Sequence, residues 1–200
     1  MEQSLQEAIR NSTVILPAHQ NELIKCLENF PYGLEKWLYR TYIIDTQALY
    51  QADIIIEVPT CFINESGKPV RGVDIVCLIS ATCDMQDSRK EFIVTAPIVP
   101  FHELMAVAAD KDQAAERIKE IRKNRVFSYF YLPKQNGLPG GFVDFTRMVA
   151  VSSRYLNGIK KTRPEYFILS LSQTGYYLFL IKLTYYLARM EASDSLRPTG

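Results

Sequence analysis

The sequence predicts an α+β fold in which a small antiparallel β-structure is surrounded by helices. Three strand-like runs rich in β-branched residues follow one another between positions 52 and 99, with no helical segment between them. This spacing is typical of an antiparallel barrel or meander. Segments of strong helix formers precede, interrupt and follow the β-region. With 200 residues, of which 48% are hydrophobic, the chain suits a single domain that buries its own core.

Residues 1–45 are predicted to form a helical extension at the amino terminus. The amphipathic runs SLQEAIR, NELIKCLENF and LEKWLYR are separated by Pro17 and by the Pro31-Tyr32-Gly33 step. Asn21 is predicted to start the second of these helices, because apolar residues at helical spacing follow it.

Residues 50–160 contain the predicted strands. The first three are DIIIEVPTCFI, VDIVCLIS and EFIVTAPIV, with a polar turn NESGKPVRG after the first of them. A helical insertion is predicted at 102–125, where Asp112 is a candidate cap after a break at Asp110-Lys111. VFSYFYLP and FVDFTRMVAVS then provide further strands.

Residues 164–191 are predicted to be helical, with Pro164 opening a first turn and Ser172 or Thr174 capping a long terminal helix. The run YYLFLIKLTYYLA is apolar nearly all round, but Lys182 interrupts it and it is shorter than the ~20 residues that a bilayer requires. We therefore expect a buried helix and no membrane segment. Its aromatic side chains should pack on the amino-terminal helices, or alternatively on a partner chain.

Charge and cysteine content exclude several classes of protein. The net charge is +1, so no long-range field attracts nucleic acid or an anionic membrane. Four cysteines without a CxxC spacing and two histidines are poor material for a zinc site, and we expect neither a metal nor a cofactor. The polar amino terminus lacks a signal segment, so a cytoplasmic location with free thiols is expected.

The order of several motifs resembles the MazF/PemK family. The matching segments are Ala52-Asp53-Ile54, Thr95-Ala96-Pro97-Ile98 and the run from Arg147 to Leu156. The resemblance covers about half the chain. It implies an SH3-like antiparallel β-barrel, a toxin–antitoxin or phage-defence setting and, for an active member, RNA cleavage.

The chain departs from that family at the positions that carry its chemistry. Asp74 stands where the family's catalytic arginine opens the second strand, and Val99 stands where its threonine closes the third. The resemblance therefore implies a barrel without its activity, acting as a non-catalytic binding or accessory module. The alternative is a metal-independent endoribonuclease with relocated phosphate-handling residues, for which the candidates are Arg71, Thr82 and Arg154.

Cys83 and Asp84, at the end of the second predicted strand, are further candidate site residues with three interpretations. Asp84 can accept backbone hydrogen bonds and hold a turn, which is the interpretation that we favour. Cys83 can instead be a nucleophile with His102 as its base, although an adjacent carboxylate disfavours the thiolate. In the third interpretation the turn contacts a ligand or a partner.

Basic residues at the end of the helical insertion are candidates for nucleic-acid binding, helped by nearby aromatic residues that can stack on unpaired bases. These are Lys119, Arg122, Lys123 and Arg125. The alternative is a solvated helix face with pairs to Glu116 and Glu120.

Asp144 and Arg147 are predicted to form an ion pair. As partners we expect a protein or a second copy of this chain, with RNA as a further candidate.

Overall fold

A computed structural model describes residues 9–11, 15–28, 32, 34–40, 48–86 and 89–187. It confirms the predicted α+β class, because an antiparallel sheet of seven strands packs against helices. The strands are β1 (Ile54–Ile63), β2 (Pro69–Leu78), β3 (Phe92–Pro100), β4 (Tyr129–Leu132), β5 (Gly141–Asp144), β6 (Val149–Ser152) and β7 (Phe167–Leu169).

The predicted closed barrel is not formed by the described residues. The strands are ordered β4-β5-β3-β2-β1-β7, and β6 pairs with the first half of β3. The sheet is open because its end strands in this order, β4 and β7, do not pair with each other among the described residues. In addition, β2 pairs with β3 only over Val76–Leu78, so the outer half of the β1–β2 hairpin extends beyond the sheet. A bulge between Ile55 and Val58, with Glu57 at φ 59°, also divides β1 into two regular parts. The five- or six-stranded SH3-like barrel is thus corrected to an open sheet.

The β1–β2 hairpin closes through the polar turn that the sequence predicts. Asn64 Oδ1 accepts hydrogen bonds from the backbone N–H groups of Ser66 and Lys68, at 3.0 and 2.9 Å. Gly67 adopts φ 72°, which suits glycine. The inner half of the hairpin is buried and its outer half is exposed.

The predicted strand FVDFTRMVAVS is divided into β5 and β6. Asp144 interrupts it because Asp144 Oδ1 accepts hydrogen bonds from the Thr146 backbone N–H at 3.0 Å and from its hydroxyl at 2.6 Å. A 3₁₀ turn, Phe145–Arg147, follows. The predicted Asp144–Arg147 ion pair is therefore wrong, and the Arg147 guanidinium lies 5.6 Å from the centre of the Phe62 ring.

The helices agree with the predicted regions but not with every predicted end. They are α1 (Pro17–Glu28), α2 (Leu34–Trp37), α3 (Thr82–Met85), α4 (Phe101–Val107), α5 (Lys111–Arg122), α6 (Ser153–Thr162) and α7 (Gln173–Leu187). Helix α1 begins at Pro17 rather than at Asn21, and proline is favoured at the first helical position. The amino-terminal SLQEAIR run and the tail after 187 fall mostly or wholly outside the described residues.

The predicted insertion at 102–125 consists of two helices, α4 and α5. Asp110, rather than Asp112, caps α5, because its Oδ1 accepts hydrogen bonds from the backbone N–H groups of Asp112 and Gln113 at 2.9 and 3.0 Å. The break at Asp110-Lys111 is confirmed.

The terminal helix α7 is capped as the sequence predicts. Ser172 Oγ accepts a hydrogen bond from the Gly175 backbone N–H at 3.0 Å. Phe179 is fully buried and meets the Phe130 ring edge-on, with 5.3 Å between the ring centres. His19 of α1 lies 5.8 Å from the Tyr177 ring, so an amino-terminal helix covers α7 as expected. Within the described part of the chain, no helix is long and apolar enough to cross a membrane.

Two clusters of buried side chains form the core. The larger cluster joins one side of the sheet to α1 and α7, with Leu23, Ile54 and Phe179 among its members. The second cluster lies between β1–β3 and α6, and Leu156 of α6 belongs to it. The connections between these layers place a group of polar side chains beside the start of β1.

Candidate functional site

A polar cavity of about 120 Å³ lies where the start of β1, helix α3 and the segment before α7 meet. Its lining comes from distant parts of the chain: Arg40, Tyr50, Gln51, Asp53, Thr82, Ser170, Leu171, Gln173 and Tyr176. Because buried polar groups require partners, the hydrogen bonds of this cluster determine what the cavity can bind.

Asp53 is the acidic group of the cavity, and it is only 2% exposed. Its carboxylate accepts a hydrogen bond from the Ser170 hydroxyl and another, at 3.0 Å, from the Tyr50 backbone N–H. Burial raises the pKa of Asp53, and these hydrogen bonds and the charges of Lys160 and Arg40 lower it in part. The carboxyl group is therefore held firmly and is a weaker acid than an ordinary aspartic acid.

The backbone turn before β1 orients Asp53 and is strained. Ala52 is buried and has φ 70°, a left-handed conformation that costs about 1–2 kcal/mol for residues other than glycine. It is held there by a hydrogen bond from its N–H to the Leu78 carbonyl at 2.8 Å. Strain of this kind is concentrated at binding and catalytic sites, so it supports the assignment of this cavity as a functional site.

Gln51 connects the strand start to both sides of the cavity. Its backbone N–H donates to Thr82 Oγ1 at 3.0 Å, and its side-chain Nε2 donates to the Ile79 carbonyl at 2.6 Å. Its Oε1 accepts a hydrogen bond from the Tyr176 hydroxyl at 3.0 Å. Gln51 therefore fixes Thr82 and Tyr176, although neither Gln51 nor Tyr176 carries a sequence signal for a site.

Arg40 is the positively charged side chain that lines the cavity. Its Nε donates to the Leu171 carbonyl at 3.0 Å, and its guanidinium lies 5.2 Å from the centre of the Tyr50 ring. Within the described residues, its two terminal nitrogens make no hydrogen bond. These nitrogens can bind a ligand, a role that the sequence analysis did not assign to Arg40.

Cys83 and Asp84 lie on α3, directly after Thr82. The predicted turn-holding role of Asp84 is wrong, because no hydrogen bond within the described chain reaches its carboxylate and Gln51 holds this turn instead. Cys83 is exposed and lies close enough to Tyr176 to raise its pKa, after the larger effects of burial and Tyr177. No contact between Cys83 and His102 is found among the described residues, so a catalytic pair is not assembled.

Arg71 lies in a second groove, of about 390 Å³, between the outer half of the β1–β2 hairpin and β6. Its lining is Pro59, Thr60, Cys61, Arg71, Gly72, Ala150, Val151, Ser152 and Tyr155. Arg154 is exposed beside Tyr155, whereas Thr82 belongs to the polar cavity. Arg71, Thr82 and Arg154, the candidate phosphate-handling residues of the ribonuclease alternative, therefore do not converge on one site.

The basic residues of the helical insertion are largely engaged within the protein. Lys119 pairs with Glu116 at 2.8 Å and Arg125 pairs with Glu120 at 3.3 Å, as the intrahelical alternative predicts. The Arg122 guanidinium lies 5.2 Å from the centre of the Phe101 ring. Lys123 follows the end of α5 and is exposed. This surface therefore offers a nucleic acid fewer available charges than the sequence suggests.

Comparison with protein-family models, with curated proteins and with solved structures found no match. Within the described residues, no group of three or more histidine, cysteine, aspartate or glutamate side chains is arranged to hold a metal ion. The resemblance to the MazF/PemK family therefore rests on the order of its motifs alone, and the geometry of the cavity is the structural evidence for a function.

Replacing Asp53 by alanine is expected to lower the free energy of unfolding by about 1–3 kcal/mol, because the Ser170 hydroxyl and the Tyr50 N–H lose their acceptor. Asp53→Asn should cost much less, because the amide oxygen still accepts and Ser170 can accept from the amide nitrogen. Urea denaturation of both variants measures the difference. Equal losses would show that the negative charge, and not the hydrogen bonds, stabilises this turn.

The pH dependence of the same variants has a defined sign. The folded-state pKa of Asp53 lies above its value of 3.8 in an unfolded chain. Its contribution is therefore fully present below about pH 3.8 and is lost as the pH rises through the folded pKa. Asp53→Asn should lack this loss, so the stability of wild type relative to Asp53→Asn should decrease as the pH rises from about pH 3.8 through the folded pKa, which denaturation curves measure.

Proposed function

We propose that this protein is a non-catalytic binding module whose polar cavity accepts a small ligand or one polar group of a larger partner. The observation that carries this proposal is the cavity itself, where Arg40 and Thr82 present hydrogen-bonding groups beside the buried carboxyl of Asp53. Ligand sites combine a few such fixed polar groups with a concave surface.

The dimensions and rigidity of the cavity support binding. Its volume of about 120 Å³ corresponds to that of about four water molecules in the liquid, which is enough for a small functional group. Gln51 and Ser170 hold the side chains around it through hydrogen bonds, so little ordering is needed when a ligand enters.

The resemblance to the MazF/PemK family adds a biological setting to the proposal. The protein would be a cytoplasmic accessory component of a toxin–antitoxin or phage-defence system, with an SH3-like ancestry and with a protein or a second copy of this chain as partner. Asp74 pairs with Val58 of β1, and Val99 pairs with Phe142 of β5. The residues at the family's catalytic positions therefore carry neither a cation nor a hydroxyl.

A screen of small polar compounds by thermal unfolding tests the binding proposal. A ligand of the cavity should stabilise the wild-type protein, and this stabilisation should shrink in Thr82→Val and Tyr176→Phe, which each remove one polar atom from the lining. Arg71→Gln, in the second groove, is the matched control and should leave it unchanged. A ligand that responds to Arg71→Gln but not to the cavity variants would contradict the proposal.

Incubation with a long single-stranded RNA in EDTA tests the endoribonuclease alternative. We expect intact RNA and weak binding with a shallow salt dependence, because each phosphate contact adds only ~0.7 to the log–log salt slope. Discrete fragments ending in a cyclic phosphate, lost in Arg71→Ala or Arg154→Ala, would overturn the non-catalytic proposal.

A further inference from the structure

The cavity presents more unused hydrogen-bond donors than acceptors. The two terminal nitrogens of Arg40 have no partner within the described residues. The Thr82 hydroxyl accepts from the Gln51 N–H, which leaves its own hydrogen to be donated. The Gln173 amide also lines the cavity, and no hydrogen bond engages it in the described part of the chain.

Except for Gln173 Oε1, the main acceptors around the cavity are already engaged. One Asp53 oxygen accepts from Ser170 and the other from Tyr50. The Leu171 carbonyl accepts from Arg40, and Gln51 Oε1 accepts from Tyr176. A ligand that satisfies the remaining groups must therefore bring acceptor atoms of its own.

The charges near the cavity favour a negatively charged ligand. Arg40 lines it, and the buried ammonium of Lys160 lies near enough for both cations to act on Asp53. Burial at the same time disfavours the negative form of Asp53. Because Arg40 is half-buried, its attraction to an anion is screened by solvent less than it would be at a fully exposed position.

We propose that the cavity binds an oxyanion, the carboxylate or phosphate group of a small ligand, between Arg40 and Thr82; this inference rests on the proposed binding function. The guanidinium can donate two parallel hydrogen bonds to such a group, which is the geometry that arginine favours. The Thr82 hydroxyl and the Gln173 amide also line the cavity and supply further donors.

Calorimetric titration with inorganic phosphate and with acetate tests the inference on the full chain. Both anions should bind wild type and the matched control Arg117→Gln, at an exposed arginine of α5 that does not line the cavity, with equal affinity. Arg40→Gln should weaken binding on the order of tenfold or more, because a charged hydrogen-bond donor is lost. Arg40→Lys should retain part of the affinity, because it keeps the charge but not the planar fork. If Arg40→Gln does not fold, Thr82→Val provides the second variant, with a smaller loss.

Two further probes distinguish the remaining outcomes. Acetamide is a neutral analogue of acetate, and binding of acetamide without binding of either anion would overturn the oxyanion inference and leave the proposed binding function intact. If neither anions nor acetamide bind, both proposals fail. Tighter binding of glycerol phosphate than of inorganic phosphate would show that the cavity recognises a phosphate group carried by a larger ligand. Equal binding would show that free phosphate is sufficient.

Discussion

Replacing Gly175 by alanine is expected to lower the free energy of unfolding by about 3 kcal/mol, at the upper end of the usual cost of overpacking. Gly175 lies in the first turn of α7, and a Cβ atom there would stand 2.3 Å from the Leu38 carbonyl oxygen. Backbone atoms cannot rotate away as a side chain can. The substitution should therefore separate α7 from the segment after α2, and urea denaturation measures the loss.

Gly158→Ala is the matched control for this prediction. Gly158 also lies in a helix, α6, but a Cβ atom there would have no neighbouring atom within 4 Å. Alanine is the better helix former by about 0.5–1 kcal/mol, so this variant should be more stable than wild type. If Gly175→Ala were equally stabilising, the close approach of Leu38 to α7 would be contradicted.

Replacing Lys182 by methionine is expected to stabilise the protein at neutral pH by about 1–3 kcal/mol, as substitution of a buried charge by an apolar residue of similar volume often does. Lys182 is only 4% exposed, and its Nζ donates to the Asn124 carbonyl at 2.7 Å. Among the described residues, no carboxylate pairs with it. Burial lowers the pKa of Lys182 to about 8.

The pH dependence of the Lys182 effect follows from this lowered pKa. The folded pKa of about 8 lies below the value of 10.5 in an unfolded chain, so the unfolded state binds more protons between these values. The wild-type protein should therefore gain stability relative to Lys182→Met as the pH rises through this window, by roughly 3 kcal/mol in total. Denaturation curves from about pH 7 to about pH 11 measure the change.

Lys161→Met is the control for removal of a lysine in general. Lys161 lies near the end of α6 and is exposed, so its substitution should change stability by less than about 0.5 kcal/mol at any pH in this range. If the stability difference between wild type and Lys182→Met did not vary with pH, the lowered pKa of the buried Lys182 amine would be contradicted.

Local features of the fold were predictable because neighbouring residues determine them. The Asn64–Lys68 turn has a polar residue and a glycine where the geometry requires them. Ser172 was identifiable as a cap because it precedes a long apolar run, and the Lys119–Glu116 pair follows from helical spacing. The Asp84 turn was predicted incorrectly because Gln51, which is distant in sequence, holds this segment. The Asp144–Arg147 pair was predicted incorrectly because the neighbouring Thr146 donates to Asp144, whereas Arg147 lies over the ring of the distant Phe62.

The sequence by itself determined the α+β class, the positions of most strands and helices, and the Ser172 cap, since each depends on propensity and on contacts within a few residues. Only the tertiary structure decided that the sheet remains open, because the divergence of the β1–β2 hairpin from β3 depends on where strand pairing ends. It also brought Arg40, Asp53 and Thr82 to one cavity. No local pattern marks such a set, because these residues meet only when β1, α3 and the segment before α7 pack together.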